Sequence, residues 1–214
     1  TNGIRQRGIQ EIDGVGLTRA VSKASVQMAT PMTKPEFFNT VKLGMEGRPG
    51  PIFIELCLDV QGGPPVEEAT VSADVTPNQV VSSSDLSVVV ERLKSARRPI
   101  LLIGGGVSRG AAKGLESRFG SAGIPVMTTW NGADRIDSAH PLYLGRPNTW
   151  GQRGPNLLVA QADLLIAVGT RLGMQQTGFN WQSYARNAFV VHVDIDQSEL
   201  DKGHPRTDMK LRVD

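Results

Sequence analysis

Short apolar segments alternate with stretches of helical periodicity through most of the chain. In the second half the apolar segments are rich in Val, Ile and Leu, which predicts strands buried on both faces. These strands cover residues 100–103, 125–129, 163–168 and 188–193, with 211–213 as a last short candidate. Helices are predicted from Ser84, from Ser108 to about Ala122, and over residues 154–160 and 198–202. This alternation predicts an α/β fold with a Rossmann-like, doubly wound parallel sheet.

The first eighty residues carry a shorter version of the same pattern. Apolar alternation over residues 17–28 predicts one or two strands, and Gly and Pro in residues 47–51 predict a rigid turn. A buried strand follows at residues 51–56 and stops at Asp59, with Cys57 inside the apolar run. Between the apolar segment at residues 17–28 and the turn at residues 47–51, a helix is predicted with Thr33 or Lys34 as its cap and Pro35 in its first turn. Its predicted inward face consists of Phe37, Phe38, Val41 and Met45.

Residues 62–83 differ in composition from the segments on either side. Glycine and proline open this stretch and three serines close it, which is typical of an extended linker. We therefore predict a partial α/β segment at residues 1–61, an interdomain linker at residues 62–83, and a Rossmann-like domain at residues 84–214.

Composition and charge exclude several classes of protein. A hydrophobic content of 39% with 21% charged residues is ordinary for a soluble globular protein. The net charge of +2, without a basic cluster, argues against a nucleic-acid partner. No apolar run reaches the roughly 18 residues of a membrane span. The single cysteine, Cys57, suits a reducing compartment and a structural role, so we expect a cytoplasmic protein.

Three loops follow predicted strands of the second domain, and loops of this kind gather at one edge of a parallel sheet, where ligands bind. Glycine lets backbone N–H groups approach phosphate oxygens, and the helix that begins at Ser108 adds its dipole. An arginine can pair with a pyrophosphate, and aspartates can accept hydrogen bonds from ribose hydroxyls. These loops therefore predict a nucleotide or dinucleotide site. The candidate residues are Gly104, Gly105, Gly106, Gly169, Thr170, Arg171, Asp194, Ile195 and Asp196.

The same residues admit a structural interpretation, in which the glycines form tight turns and Asp194 or Asp196 caps the next helix. The spacing from Gly104 is G-x-G-x-x-x-G rather than the G-x-G-x-x-G of dehydrogenases. No acidic residue closes the second strand, where a nicotinamide dehydrogenase normally places one. Both interpretations therefore stay open.

Other conspicuous residues favour structural roles. His140, His192 and His204 lack metal-ligand spacing, and no serine lies in a nucleophile elbow, so we assign no catalytic residue and no metal ligand. The three tryptophans are expected in packing or an interface. The polar loop NTWGQR at residues 148–153 is expected at the surface, with a ligand or another subunit as the alternative.

Several segments together resemble thiamine-diphosphate-dependent enzymes of the acetolactate synthase type. The sequence GRPGPIFIELCLDV at residues 47–60 resembles the end of that family's pyrimidine-binding domain. Successive signatures of the family's central domain resemble ILLIGGG at 100–106, GIPVMTT at 123–129, ADLLIAVGTR at 162–171 and VHVDID at 191–196. The resemblance covers nearly the whole chain in the family's order.

The resemblance implies a three-domain parent enzyme, in which residues 1–61 end the pyrimidine-binding domain and residues 84–214 form the central domain. It implies thiamine diphosphate and Mg²⁺ sites in segments that this chain lacks. The implied reaction is decarboxylation of a 2-keto acid followed by carboligation, in a homodimer or homotetramer. The isolated chain is then expected to be inactive.

The resemblance also implies FAD as a largely structural cofactor, with its contacts in the three candidate loops. Residues 145–151, GRPNTWG, replace the GMHG-like loop of FAD-binding relatives, so an ADP-type nucleotide or no ligand at all stays an alternative. Two further functions stay open. They are a stand-alone dinucleotide-binding oxidoreductase and a non-catalytic nucleotide-binding assembly module.

Overall fold

The computed structural model describes residues 12–64, 66 and 80–214. The chain divides into two compact units, Thr1–Pro77 and Asn78–Asp214, which we call the first and second units. Most of the linker predicted at residues 62–83 lies outside the described residues. The division into residues 1–61, 62–83 and 84–214 therefore stays a prediction.

The described part of the first unit is a small parallel α/β arrangement. Its strands β1 and β2 run parallel, with Ala24 opposite Ile52 and Met28 opposite Leu56. The elements in chain order are α1 (Gly14–Thr18), β1 (Ala24–Met28), α2 (Lys34–Leu43), β2 (Ile52–Leu56) and α3 (Leu58–Gln61).

Two boundaries predicted for this unit are wrong. Leu17 lies in α1 rather than in a strand, because the Asp13 carboxylate accepts a hydrogen bond from the Gly16 N–H at 2.8 Å and caps a helix there. β2 ends at Leu56, and Cys57 is the residue that precedes α3. Cys57 is a half-buried free thiol, outside the strand in which it was predicted.

The start of α2 agrees with the prediction, but the burial of its apolar residues does not. Glu36 N–H donates to the Thr33 hydroxyl, and the Glu36 carboxylate accepts from the Thr33 N–H at 2.8 Å. The Thr33 N–H and the Thr33 hydroxyl both donate to this carboxylate and lower the pKa of Glu36, and the bond from the N–H contributes most. Phe38 and Met45 nevertheless stay 56% and 71% exposed, because the described two-stranded sheet offers little surface to cover them.

The second unit contains one five-stranded sheet in which every pairing is parallel. The strand order is β4-β3-β5-β6-β7, which confirms the predicted doubly wound α/β class. Residues 174–177 and 181–183 form a helix and a 3₁₀ turn that the sequence pattern did not predict. The helices and strands are α4 (Ser83–Ser95), β3 (Pro99–Ile103), α5 (Arg109–Ala122), β4 (Val126–Thr128), α6 (Arg153–Gln161), β5 (Leu164–Val168), α7 (Met174–Thr177), β6 (Phe189–Asp194), α8 (Gln197–Asp201) and β7 (Met209–Arg212).

The core lies on both faces of this sheet. On one face Leu102, Leu165 and Val190 are fully buried and pack in one cluster with Val159 of α6. On the other face the packing partners are Ile103 with Phe119 of α5, and Val191 with Val89 and Leu93 of α4. Because side chains alternate along a strand, apolar residues at successive positions need cover on both sides, and the helices supply it.

We expect Leu165→Ala to lower the free energy of unfolding by about 2–5 kcal/mol, because it leaves a cavity in the buried cluster on one face of the sheet. The matched control is Leu157→Ala on α6, where the side chain is 51% exposed and the loss is expected to stay below about 1 kcal/mol. Chemical denaturation followed by circular dichroism measures both values. Equal losses would contradict the burial described here.

Candidate functional site

The carboxyl ends of β3, β5 and β6 lie at one edge of the second unit's sheet. Numbered along the chain from β3, the strands follow the order 2-1-3-4-5, so the direction of winding reverses between β3 and β5. In such sheets the crevice at the reversal is the usual ligand site. The glycine loop at residues 104–106 follows β3, and the loop at residues 169–171 follows β5, so both predicted loops flank this position.

Backbone hydrogen bonds join these loops directly. The Gly106 N–H donates to the Gly169 carbonyl at 2.8 Å, and the Gly104 N–H donates to the Val168 carbonyl at 2.8 Å. The Gly169 N–H in turn donates to the Val193 carbonyl of β6 at 2.9 Å. The structure thus brings the first two predicted loops into contact and ties them to the strand that carries the third.

The glycines are required by this contact between loops. A Cβ atom on Gly104 would lie 2.1 Å from the Gly169 carbonyl oxygen, and one on Gly106 would lie 2.8 Å from it. Gly169 adopts a left-handed conformation with φ +60°, and a Cβ there would meet the Val107 nitrogen at 2.7 Å. A Cβ on Gly105 would lie 2.9 Å from the Asn131 carbonyl oxygen. Packing alone therefore explains the glycine pattern, whether or not a ligand binds.

Arg135 is a residue of this edge that the sequence pattern did not indicate. Its guanidinium donates to the Gly105 carbonyl at 3.0 Å and to the Val107 carbonyl, so it holds the glycine loop through two backbone oxygens. Its side chain is 10% exposed and also pairs with Asp134. Asp134 bonds Arg109 as well, and this bond is the main reason that the pKa of Asp134 is lowered. The contacts span about thirty residues of sequence, so no local spacing signals them.

The second predicted loop contains one buried and one exposed candidate. Thr170 is buried, and its carbonyl lies 2.7 Å from Nε2 of His192 in β6. His192 is 1% exposed, and burial lowers its pKa against the opposing effect of that hydrogen bond. Arg171 instead has a side chain that is 62% exposed and lies 3.4 Å from Glu199. The loop therefore presents a cation at the surface beside a buried histidine.

The third predicted loop is occupied by local hydrogen bonds. The Asp194 carboxylate accepts from the Asp196 N–H at 3.0 Å, and the residue is 4% exposed. Asp196 accepts from the Ser198 N–H at 3.0 Å and caps α8, as the structural interpretation expected. The Ile195 carbonyl accepts from Arg212 at 3.2 Å. These bonds show what the residues do in the fold, and their role toward a ligand stays a prediction.

The polar loop at residues 148–153 contains Trp150, which lies near Trp130. Trp130 and Trp150 have ring centroids 6.2 Å apart, and they are 52% and 62% exposed. Asn148, which was expected at the surface, is buried at 6% exposure because the loop folds back on itself. There the Gly151 N–H donates to the Asn148 carbonyl at 2.9 Å.

The described residues show no arrangement suited to a metal ion or a membrane span. No group of three or more His, Cys, Asp or Glu side chains among them lies together as metal ligands would. No helix in the described ranges is long and apolar enough to cross a bilayer. His140 accepts from the Leu142 N–H, and His204 lies 5.4 Å from the Trp181 ring, so both make local structural contacts.

Comparison with known proteins gives consistent matches along the chain. Residues 86–214 match the family described as "Thiamine pyrophosphate enzyme, central domain". A probable acetolactate synthase large subunit of Methanococcus aeolicus is 33% identical over 210 residues, which cover 94% of this chain and 35% of that protein. The large subunit of acetolactate synthase isozyme 1 of Escherichia coli is 30% identical over 195 residues, or 90% of this chain and 34% of that protein. The chain thus spans about a third of the length of these relatives.

We expect Gly104→Ala to lower the free energy of unfolding by about 1–3 kcal/mol, because its methyl group meets backbone that cannot move aside. Gly114→Ala, in the interior of α5 with nothing within 4 Å, is the matched control. It is expected to raise stability by about 0.5–1 kcal/mol, the usual gain of alanine over glycine in a helix. Urea denaturation compares the two, and a neutral Gly104→Ala would show that the loops do not need this contact.

Proposed function

We propose a function from the premise that this chain belongs to the thiamine pyrophosphate enzyme family and is similar to acetolactate synthases. In this proposal the chain works as the central domain and an adjoining segment of a carboligase. In the proposed reaction a 2-keto acid loses CO₂, and the remaining acyl unit forms a carbon–carbon bond to the carbonyl carbon of an acceptor. Thiamine diphosphate supplies the carbanion chemistry for this reaction when it is bound.

The match over residues 86–214 carries this proposal. The match covers nearly all of the second unit. The apolar segments that resemble the family's signatures include the strands of that unit's parallel sheet. The alternative of a nicotinamide oxidoreductase has less support, because β4 ends at Thr128 and Thr129 and Trp130 follow. A dehydrogenase normally places a carboxylate at that position to bind the ribose.

We assign thiamine diphosphate and Mg²⁺ to segments of the enzyme other than the described residues. The support is the match to the family's central domain alone, since the resemblance implies both sites in the other domains. The role proposed for this chain is structural support, in which the closed edge between β3 and β5 holds its loops in fixed positions. We therefore expect the chain on its own to be inactive.

The product of the complete gene, supplied with thiamine diphosphate and Mg²⁺, is expected to release CO₂ from pyruvate or another small 2-keto acid. The chain of 214 residues alone, under the same conditions, is expected to release none. A CO₂-release assay with a panel of 2-keto acids measures both. A folded, cofactor-supplied gene product that is inactive on the whole panel would contradict the proposal.

A nucleotide of the FAD or ADP type is the second part of the proposal, with its diphosphate beside Arg171. The Arg171 guanidinium is largely exposed. The neighbouring glycine loop leads into the N-terminus of α5, where the Ala111 N–H donates to the Ser108 hydroxyl at 3.1 Å. A helix N-terminus and an arginine both favour a diphosphate. The loop glycines add no support, since packing already requires them.

We expect ADP to bind this chain and Arg171→Ala to weaken that binding about tenfold, the effect of one charge-assisted hydrogen bond. Arg118→Ala, an exposed arginine on α5, makes the same change in charge away from the edge and serves as the control. Isothermal titration measures the affinities, and flavin absorbance of the purified protein tests FAD. Equal affinities for the two variants would contradict the assignment to Arg171.

We also propose that the complete enzyme is a homo-oligomer, either a dimer or a tetramer. The support is the family membership alone. Light scattering on the complete gene product gives the mass, and a monomer would contradict the proposal.

A further inference from the structure

A cavity of about 400 Å³ lies in the second unit between α6 and the segment of residues 176–185. This volume falls within the usual range of small-molecule sites. None of the thirteen lining residues is charged, and eight carry an amide or hydroxyl group. Val159 and Ala160 of α6 provide apolar surface, and Phe179, which is 74% exposed, adds an aromatic ring.

Two polar atoms of the residues that line this cavity lack hydrogen-bond partners among the described residues. They are Nδ2 of Asn148 and the hydroxyl of Tyr184, and both are closed off from solvent. A buried donor without a partner destabilises the folded state, so native proteins contain few of them. Two such atoms in residues of one cavity point to a missing partner.

The direction of the Asn148 amide is fixed by its neighbours. Its Oδ1 accepts from the Trp150 N–H at 2.8 Å, which identifies Nδ2 as the atom without a partner. The Asn148 carbonyl accepts from Nδ2 of Asn156 at 2.9 Å. A Cβ on Gly151 would lie 2.6 Å from the Asn148 nitrogen, so the loop is closely packed around this residue. Asn148 is therefore held in place as a donor.

Gln176 forms the part of the wall beside Tyr184. Burial raises the pKa of the Tyr184 hydroxyl, and the interaction with the neighbouring Gln176 side chain opposes that shift. The Gln176 Nε2 atom donates to the Pro147 carbonyl at 2.6 Å, next to Asn148. Because both donors are closed off from solvent, a ligand contacts them only if the lining side chains rearrange.

We propose that this cavity binds an uncharged ring compound that carries a carbonyl oxygen. The carbonyl oxygen accepts from both Asn148 and Tyr184, and the ring packs on Phe179 and the apolar surface of α6. The absence of charged residues among the thirteen in the lining disfavours phosphates and carboxylates, because their charge would be buried without a partner. The site therefore differs in chemistry from those proposed for the 2-keto acid and the nucleotide, and it does not depend on either.

Benzamide is a suitable probe, since it combines a ring with an uncharged carbonyl group. In ¹H–¹⁵N spectra of the whole chain, we expect benzamide to shift the Asn148 side-chain amide and the backbone signals of residues 176–180. The shifts should saturate with a dissociation constant in the millimolar range, as expected for a fragment of this size. Pyruvate and ADP should leave the Asn148 side-chain amide unchanged.

Tyr184→Phe and Tyr143→Phe separate a ligand role from a structural one. Tyr184→Phe removes an unpaired hydroxyl, so it should weaken benzamide about fivefold without lowering the melting temperature. Tyr143→Phe removes a hydroxyl that lies 2.9 Å from the Thr128 hydroxyl, so it should lower the melting temperature by about 3 °C and leave benzamide affinity unchanged. Shifts that do not saturate, equal shifts with pyruvate, or unaltered affinity in Tyr184→Phe would overturn the proposal.

Discussion

The contact between the glycine loop after β3 and Gly169 after β5 determines how the edge of the second unit is built. It joins the two strands between which the winding of the sheet reverses. The two loops lie so close together that Gly104 has no room for a side chain. Next to it, Thr170 binds the buried His192 while Arg171 stays exposed at the surface. The chemistry available at this edge therefore follows from where the backbone closes and which side chains it leaves exposed.

The parts of the fold that the sequence predicted correctly are those whose limits have local causes. α5 is the clearest example, because the Ser108 hydroxyl accepts from the Ala111 N–H at its start and Gly123 takes φ +65° at its end. The central strands were predicted for a similar reason, since a run such as residues 164–168 is apolar at every position and only a doubly covered sheet can bury it. The family resemblance, which rests on these same segments, is confirmed by the match over residues 86–214.

The features that the sequence did not predict depend on contacts between distant residues. α1 contains two glycines in five residues and exists because of the Asp13 cap, and Arg135 reaches Gly105 from thirty residues away. The burial of Asn148 likewise depends on a loop that folds back on itself. For the candidate site, the sequence placed three loops at one edge, but it could not distinguish glycines that approach a phosphate from glycines that approach each other.

Hydrogen exchange at the Gly106 amide, measured in the chain without any nucleotide, tests this account most directly. Gly106 is an exposed residue, yet its N–H donates to the Gly169 carbonyl at 2.8 Å. The account predicts slow exchange, close to that of the amides in β3, because the contact belongs to the fold itself. Fast exchange that becomes slow only when ADP or FAD is added would contradict it, because the glycine loop would then depend on a ligand for its structure.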